Sequence, residues 1–140
     1  MEIKFTVPGN PKGKQRPRIC KSRGRQFTYT PKQTIEYEKL VRASYTAVSK
    51  MFFDKNIPLE VSIIALFSVP KSVSKKSKNS MLNGDTSPTK KPDSDNIIKI
   101  ILDALNGVCY YDDSQICRIY FEKKYSEIPK VKIAIKEIVL

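Results

Sequence analysis

Three short stretches of this chain carry residues whose types and spacing can do chemistry. In Lys91-Pro92-Asp93-Ser94-Asp95-Asn96, two carboxylates lie two positions apart just ahead of an apolar helical pattern. Pro92 favours extended or turn backbone at this point. In extended backbone, residues two apart point the same way, so Asp93 and Asp95 can share a divalent cation. Capping is the competing explanation, because Asp is favoured at an N-cap and in a first helical turn. One Asp meets that need, and two followed by Asn96 exceed it. Asp112-Asp113 is the second acidic pair; it precedes a strand pattern, and a turn with a capping Asp explains it equally well. Lys99 is the third feature, one helical turn after Asp95 on the same face. It reads either as an ordinary exposed ion-pair partner or as an ammonium that faces a scissile phosphate and stabilises developing charge.

The segment after Gly107 has to turn back so that the next strand can join the sheet. That return is expected to bring Asp113 towards Asp93 and Asp95. Three carboxylates around one point make a hard-cation site with water positions left for chemistry. Asp103 lies two helical turns beyond Asp95, roughly 12 Å along the axis, and reads as a partner for Lys99, not as a ligand.

Other chemistries are disfavoured by composition. The chain has no His, which removes the usual base of a Ser or Cys nucleophilic triad. Cys20, Cys109 and Cys117 are odd in number and lack close paired spacing, which argues against zinc. Any metal is expected on oxygen ligands, as Mg²⁺, Mn²⁺ or Ca²⁺.

The net charge is +12, and its distribution is uneven. Residues 1–50 hold 12 Lys and Arg against 3 acids, a net of +9, whereas residues 101–140 hold 6 of each and balance. Such asymmetry implies a polyanionic partner, nucleic acid first and an anionic membrane surface second. The basic stretch from Lys12 to Arg25 reads as a loop. Lys12, Lys14, Arg16, Arg18, Arg23 and Arg25 are its candidate phosphate contacts, with Lys21 beside them. Phe27 and Tyr29 can stack on bases, although core packing is the expectation for each.

Those residues need a scaffold. Ile3, Phe5 and Val7 alternate with polar residues, the period of a strand. Gln26 to Thr30 suggests a short second strand. Thr30-Pro31 reads as a helix start, and the helix is expected to run to about Met51, burying Tyr37, Leu40, Val41, Ala47, Val48 and Met51. Ser44 falls on that stripe and is tolerable there if its hydroxyl bonds back to the helix backbone. Leu59 to Val69 is apolar on both faces and is placed centrally in a sheet. Residues 71–91, rich in Ser, Lys and Asn, read as a flexible basic loop or a poorly formed helix. A second helix is expected from about Asn96 to Leu105, capped by Ser94 or Asp95 and stopped by Asn106-Gly107. Two strands follow, near Gln115–Tyr125 and Lys130–Val139, with a turn between them. The whole chain, 1–140, is expected to be one α/β domain: a mixed β-sheet packed by two helices.

No signal peptide opens the chain, and its longest apolar run is far short of a bilayer span. With free thiols, this fits a cytoplasmic protein with no membrane partner.

The combination Pro92-Asp93-Ser94-Asp95-Asn96, Lys99, Asp103-Ala104-Leu105-Asn106-Gly107 and Asp112-Asp113-Ser114-Gln115-Ile116 resembles the RusA family of Holliday-junction resolvases. Pro11, Lys12 and Arg16-Pro17-Arg18 also resemble the basic start of many members. The resemblance spans nearly the whole chain. It implies a RusA-like fold and a Mg²⁺-dependent homodimer, with Mn²⁺ a possible substitute, that resolves four-way DNA junctions by paired nicks. It further implies catalytic, metal-binding aspartates at Asp93, Asp95 and Asp113, an important lysine at Lys99, and a supporting acid at Asp112. Two other functions compete with it: a non-catalytic nucleic-acid-binding module, and a nuclease acting on other branched DNA.

Overall fold

The computed structural model describes residues 1–139. Strand β1 (Glu2–Pro8) buries Ile3, Phe5 and Val7 and exposes the residues between them, as period-two alternation requires. Helix α1 (Lys32–Val48), strand β4 (Leu59–Ser68), helix α2 (Lys75–Leu82), helix α3 (Ser94–Leu105), and strands β5 (Ile116–Ser126) and β6 (Lys130–Glu137) complete the main body. Strands β2 (Arg18–Ser22) and β3 (Arg25–Tyr29) form a separate two-stranded ribbon.

The main sheet has the order β1-β6-β4-β5, with β4 parallel to β5 and antiparallel to β6. Strand β4 is therefore interior, as its apolar character on both faces suggested. Strands β5 and β6 follow one another in the chain yet do not pair, because β4 lies between them. The architecture is a single α/β domain with a mixed sheet, and α1 and α3 supply the helical layer.

Tyr37, Val41 and Tyr45 of α1 and Ile97, Ile100, Ile101 and Leu105 of α3 share one core with Val7, Val61, Ile63, Val131 and Ile135 of the sheet. Burying each large aliphatic side chain stabilises the fold by about 1.5–3 kcal/mol before chain entropy is set against it. The Phe5 and Tyr45 rings meet edge-on, with centroids 5.4 Å apart.

Several elements differ from the sequence-based expectations. Helix α1 has Pro31, not Thr30, at its N-cap and ends at Val48, before Met51. Its buried stripe is Thr34, Tyr37, Val41 and Tyr45, while Leu40 and Val48 are exposed. The amphipathic ends of the tyrosines explain the shift: Tyr45 buries its ring and sends its hydroxyl to the Met51 carbonyl. The Ser44 hydroxyl donates to the Leu40 carbonyl at 2.8 Å, the back-bond that its position called for.

Helix α2 occupies part of the stretch read as a loop or poor helix. Ser74 caps it by accepting from the Ser77 N–H at 3.2 Å, but no residue of α2 is buried, so it leaves no apolar stripe in the sequence. The basic stretch Lys12–Arg25 is not all loop either, because its second half is β2. Arg23 and Gly24 turn the ribbon with φ of 51° and 76°, both positive, as a two-residue hairpin turn requires. Phe27 and Tyr29, expected in the core, stand 48% and 45% exposed on that ribbon. Among the described residues no helix is long and apolar enough to cross a membrane.

Candidate active site

Helix α3 begins at Ser94, two residues before the expected start, and Asp93 is its N-cap with φ −64° and ψ 148°. The Asp93 carbonyl accepts from the N–H groups of Asn96 and Ile97, each at 3.1 Å. Its carboxylate, however, makes no capping hydrogen bond. Asp95 is the second residue of the helix and is exposed. Only Asp93 therefore sits in extended backbone, and the same-side rule for extended chain does not extend to Asp95. The apolar stripe of α3 buries Ile97, Ile100, Ile101, Ala104 and Leu105, which leaves Asp95 and Lys99 on the outer surface.

A loop from the end of β1 holds this helix start in place. The Lys14 N–H donates to the Asn96 carbonyl at 2.8 Å. Gly13 passes so close that an added Cβ would lie 2.8 Å from Pro92 Cβ and 3.1 Å from Asn96 Cβ. Between them lies an open cleft of about 420 Å³, lined by Lys12, Gly13, Lys14, Gln15, Gln33, Thr34, Lys91, Pro92, Asp93 and Asn96. Lys91, named in the site run without a role of its own, belongs to this cleft, as do Gln15 and Gln33, which sequence reasoning did not single out. Lys91 had a signal in its adjacency to Asp93, whereas the glutamines had none, because only the packing of the loop on α1 brings them there.

Lys14 is not a free phosphate contact. Its Nζ lies 3.1 Å from Glu38 Oε2 and 3.3 Å from Asp103 Oδ2. Burial works to lower its pKa, but hydrogen bonds and charge from Glu38 and Asp103 outweigh burial and raise it. It therefore stays cationic and ties the loop to both α1 and α3. Lys99 Nζ is 3.5 Å from the same Asp103 oxygen, the i,i+4 pairing expected from the sequence, and its side chain is 61% exposed. Lys12, Arg16, Arg18, Arg23 and Arg25 are all exposed, and none has an ion-pair partner among the described residues.

The second acidic pair lies elsewhere. Asp112 caps the short 3₁₀ turn Asp113–Gln115, accepting from the Ser114 N–H at 3.2 Å. Hydrogen bonds to Ser114 hold its carboxyl below the usual range. Gln115 is buried and accepts from the N–H groups of Tyr111 and Asp112 at 3.0 and 3.2 Å. It also donates to the carbonyls of Asp54 and Ile57 at 2.9 and 3.2 Å. Asp113 is exposed, with no ion-pair partner among the described residues.

This turn sits at the far end of the sheet from Asp93. Ile116, directly after it, pairs with Leu59 at the start of β4. The approach to Asp93 is fixed near the other end, where Lys123 Nζ donates to the Lys90 carbonyl at 2.8 Å and Lys123 pairs with Ala65. Lys123 lies seven strand positions beyond Ile116, roughly 23 Å of chain. The expected return of Asp113 towards Asp93 and Asp95 does not occur within one chain. The reason is strand direction: β5 runs parallel to β4, so it starts beside the start of β4, away from the end at which Lys123 holds Lys90. Among the described residues, no three Asp, Glu or Cys side chains gather closely enough to hold a metal. The chemistry of the donors nevertheless suits a hard cation. Asp93, Asp95 and Asp113 are exposed carboxylates, and none is consumed by an ion pair among the described residues.

Comparison with known proteins points to the same family. A Bacillus subtilis (strain 168) protein named YqaN, itself described as uncharacterized, is 36% identical over 141 residues, covering 97% of this chain and 96% of that one. A Lactococcus phage r1t protein named crossover junction endodeoxyribonuclease rusA is 28% identical over 138 residues, covering 98% of both. The family model described as endodeoxyribonuclease RusA matches residues 8–136, a span that contains the cleft, α3 and the second acidic turn. On sequence match, and with the fold just described, the chain belongs to the RusA endodeoxyribonuclease family.

Proposed function

We propose that this protein is a divalent-metal-dependent endonuclease that resolves four-way DNA junctions as a homodimer, acting on DNA in the cytoplasm. The observation that carries the reading is Asp93: a helix N-cap whose carboxylate is left uncommitted, in a cleft lined by Lys12 and Lys91. A structural cap would have spent that group on the helix. Cationic walls draw in phosphate, and a carboxylate among them repels phosphate unless a cation lies between the two.

In this reading Asp93 and Asp95 hold Mg²⁺, or Mn²⁺ in its place, and Asp113 of a second copy completes the set that the two ends of one chain keep apart. The ion, when bound, supplies Lewis acidity at the phosphate and a water of lowered pKa. Lys99 swings from Asp103 towards the phosphate and stabilises the charge that develops there. Lys12, Arg16, Arg18, Arg23 and Arg25 hold the backbone of the DNA. Lys14 keeps the loop on α3 so that the cleft retains its shape. Two-fold symmetry suits a roughly symmetric junction, placing one such site on each of two strands.

The test is cleavage of a synthetic four-way junction in Mg²⁺ or Mn²⁺, with flap and replication-fork DNAs beside it at identical salt. Paired symmetric nicks in the junction are expected, and chelation should abolish them. Preferential cutting of flaps or forks would replace the junction with another branched substrate. Folded, dimeric protein that binds all of these DNAs and cuts none would be a binding module and would end the proposal.

A further inference from the structure

We propose that the β2–β3 ribbon distinguishes branched DNA from duplex by stacking Phe27 and Tyr29 on bases left unstacked at the branch point, while Arg18 and Arg25 hold the flanking phosphates. The inference rests on the junction-binding reading above and deepens it.

The ribbon's register places these groups together. Arg18 pairs with Tyr29, Cys20 with Phe27, and Ser22 with Arg25. Cross-strand partners share a face, and so do residues two apart on a strand. One face of the ribbon therefore presents Arg18, Tyr29, Phe27 and Arg25, two rings bracketed by two guanidinium groups. The ribbon pairs with no strand of the main sheet, and every one of its residues except Cys20 is exposed. A solitary two-stranded ribbon is marginal in water, and Phe27 and Tyr29 leave nearly half of their surface uncovered on it. Apolar side chains left in this position point to a partner.

Charge identifies the partner. Residues 18–29 contain Arg18, Lys21, Arg23 and Arg25 and no acid. Two such ribbons repel one another, whereas a polyanion is attracted. Rings interleaved with cations are how single-stranded nucleic acid is gripped, because every base has a π-face that an aromatic side chain can cover. Bases inside a duplex already cover one another. Those at a branch point are free to do otherwise, so the same face that gains from a junction gains little from linear DNA.

The ribbon is also in the right place. Arg18 and Tyr29 line an open depression together with Gln15 and Gln33. Those two glutamines line the Asp93 cleft as well, and Gln15 Nε2 donates to Gln33 Oε1 at 3.4 Å. One surface thus runs from the Asp93 cleft to Tyr29, so that one bound DNA can reach both.

The experiment uses the full chain. Affinities for a four-way junction and for a linear duplex of the same sequence are measured for wild type, Phe27→Ala/Tyr29→Ala, Phe27→Leu/Tyr29→Leu, and Arg18→Gln/Arg25→Gln. A 2-aminopurine at the branch point reports stacking, and sedimentation reports the oligomeric state. Both aromatic doubles are expected to weaken junction binding about 10- to 100-fold, with duplex affinity within about twofold, an unchanged salt slope and loss of the stacking signal. The arginine double should weaken junction and duplex alike and flatten the salt slope. The leucine double keeps apolar volume without a π-face, so recovery of junction binding by it would assign the rings a packing role and overturn the proposal. Equal losses on junction and duplex, no loss at all, or a shift from dimer to monomer in the aromatic doubles would also overturn it. Wild-type protein with no preference for the junction over duplex would remove the junction reading itself; a preference that survives in the aromatic doubles would remove the ribbon proposal alone.

Discussion

Two aspartates cap helical turns in this protein, and they do so differently. Asp112 spends its carboxylate on the Ser114 N–H, and Gln115 reciprocates on the N-cap backbone, so that turn is a complete capping box. Asp93 has the same extended N-cap backbone and an equally ordinary helix behind it, yet its side chain caps nothing. The difference separates structural use of a carboxylate from availability for chemistry, two readings that the sequence pattern left open at both places. It also divides the second acidic pair internally: Asp112 is consumed locally, while Asp113, one residue on, is free to face outwards.

The comparison breaks first if the free carboxylates prove idle. Asp93→Asn, Asp95→Asn or Asp113→Asn should each reduce single-turnover junction cleavage on the order of a thousandfold, beyond the 10- to 100-fold typical of losing a metal's outer-shell partner. Junction affinity should hold or rise, because negative charge is removed from a cationic cleft. Mixing Asp93→Asn subunits with Asp113→Asn subunits sharpens the point. If each site draws Asp113 from the other copy, one site in the mixed dimer is intact, and a single nick returns. No recovery on mixing would place all three groups on one chain's site and contradict the separation seen here.

Lys99 is the next test. Its side chain is largely exposed and shares Asp103 with Lys14, so loss of the pair alone should matter little. Lys99→Ala is expected to slow cleavage roughly 30- to 1000-fold, the scale of a lost preorganised donor, with junction affinity and urea unfolding near wild type. A near-normal rate would return Lys99 to the role of a surface ion pair.

The structural turn should show the opposite signature. Gln115→Ala leaves the N–H groups of Tyr111 and Asp112 and the carbonyls of Asp54 and Ile57 without their partner. A loss of about 2–3 kcal/mol in unfolding free energy is expected, with cleavage per folded molecule much less affected than in the aspartate variants. An unfolding midpoint equal to wild type would show that the turn is not held by this residue.

The smallest effect is pH-dependent. Because hydrogen bonds to Ser114 lower the Asp112 carboxyl below its ordinary 3.8, its contribution is present above that value and is lost as pH falls through the lowered one. Asp112→Ala should therefore unfold slightly earlier than wild type at neutral pH, and the gap should close in acid. Asp93→Ala should show no comparable gap at neutral pH. An equal penalty for the two substitutions would erase the distinction between the caps.

Much of the scaffold was legible because burial imposes a period on the chain. Ile3, Phe5 and Val7 had to lie on one side of a strand, and the apolar residues between Ile97 and Leu105 had to face one way from a helix. Where a side chain has both an apolar body and a polar tip, the period blurred. Tyr45 was missed as core, and Phe27 and Tyr29 were expected to be buried. Helix α2 buries nothing, so it wrote no pattern to read.

The sequence by itself determined which groups can act: exposed oxygen donors, no imidazole, a cationic first third, and motif residues that identify the family. These are properties of side-chain type and local spacing, and they survive any arrangement of the chain. Only the tertiary structure decided which groups meet. It gave Lys14 to Glu38 and Asp103, brought Gly13 against Pro92, and set Asp93 and Asp113 at opposite ends of the sheet. Each of those outcomes depends on strand order and direction, which are settled by long-range pairing between segments whose own residues do not encode the partner.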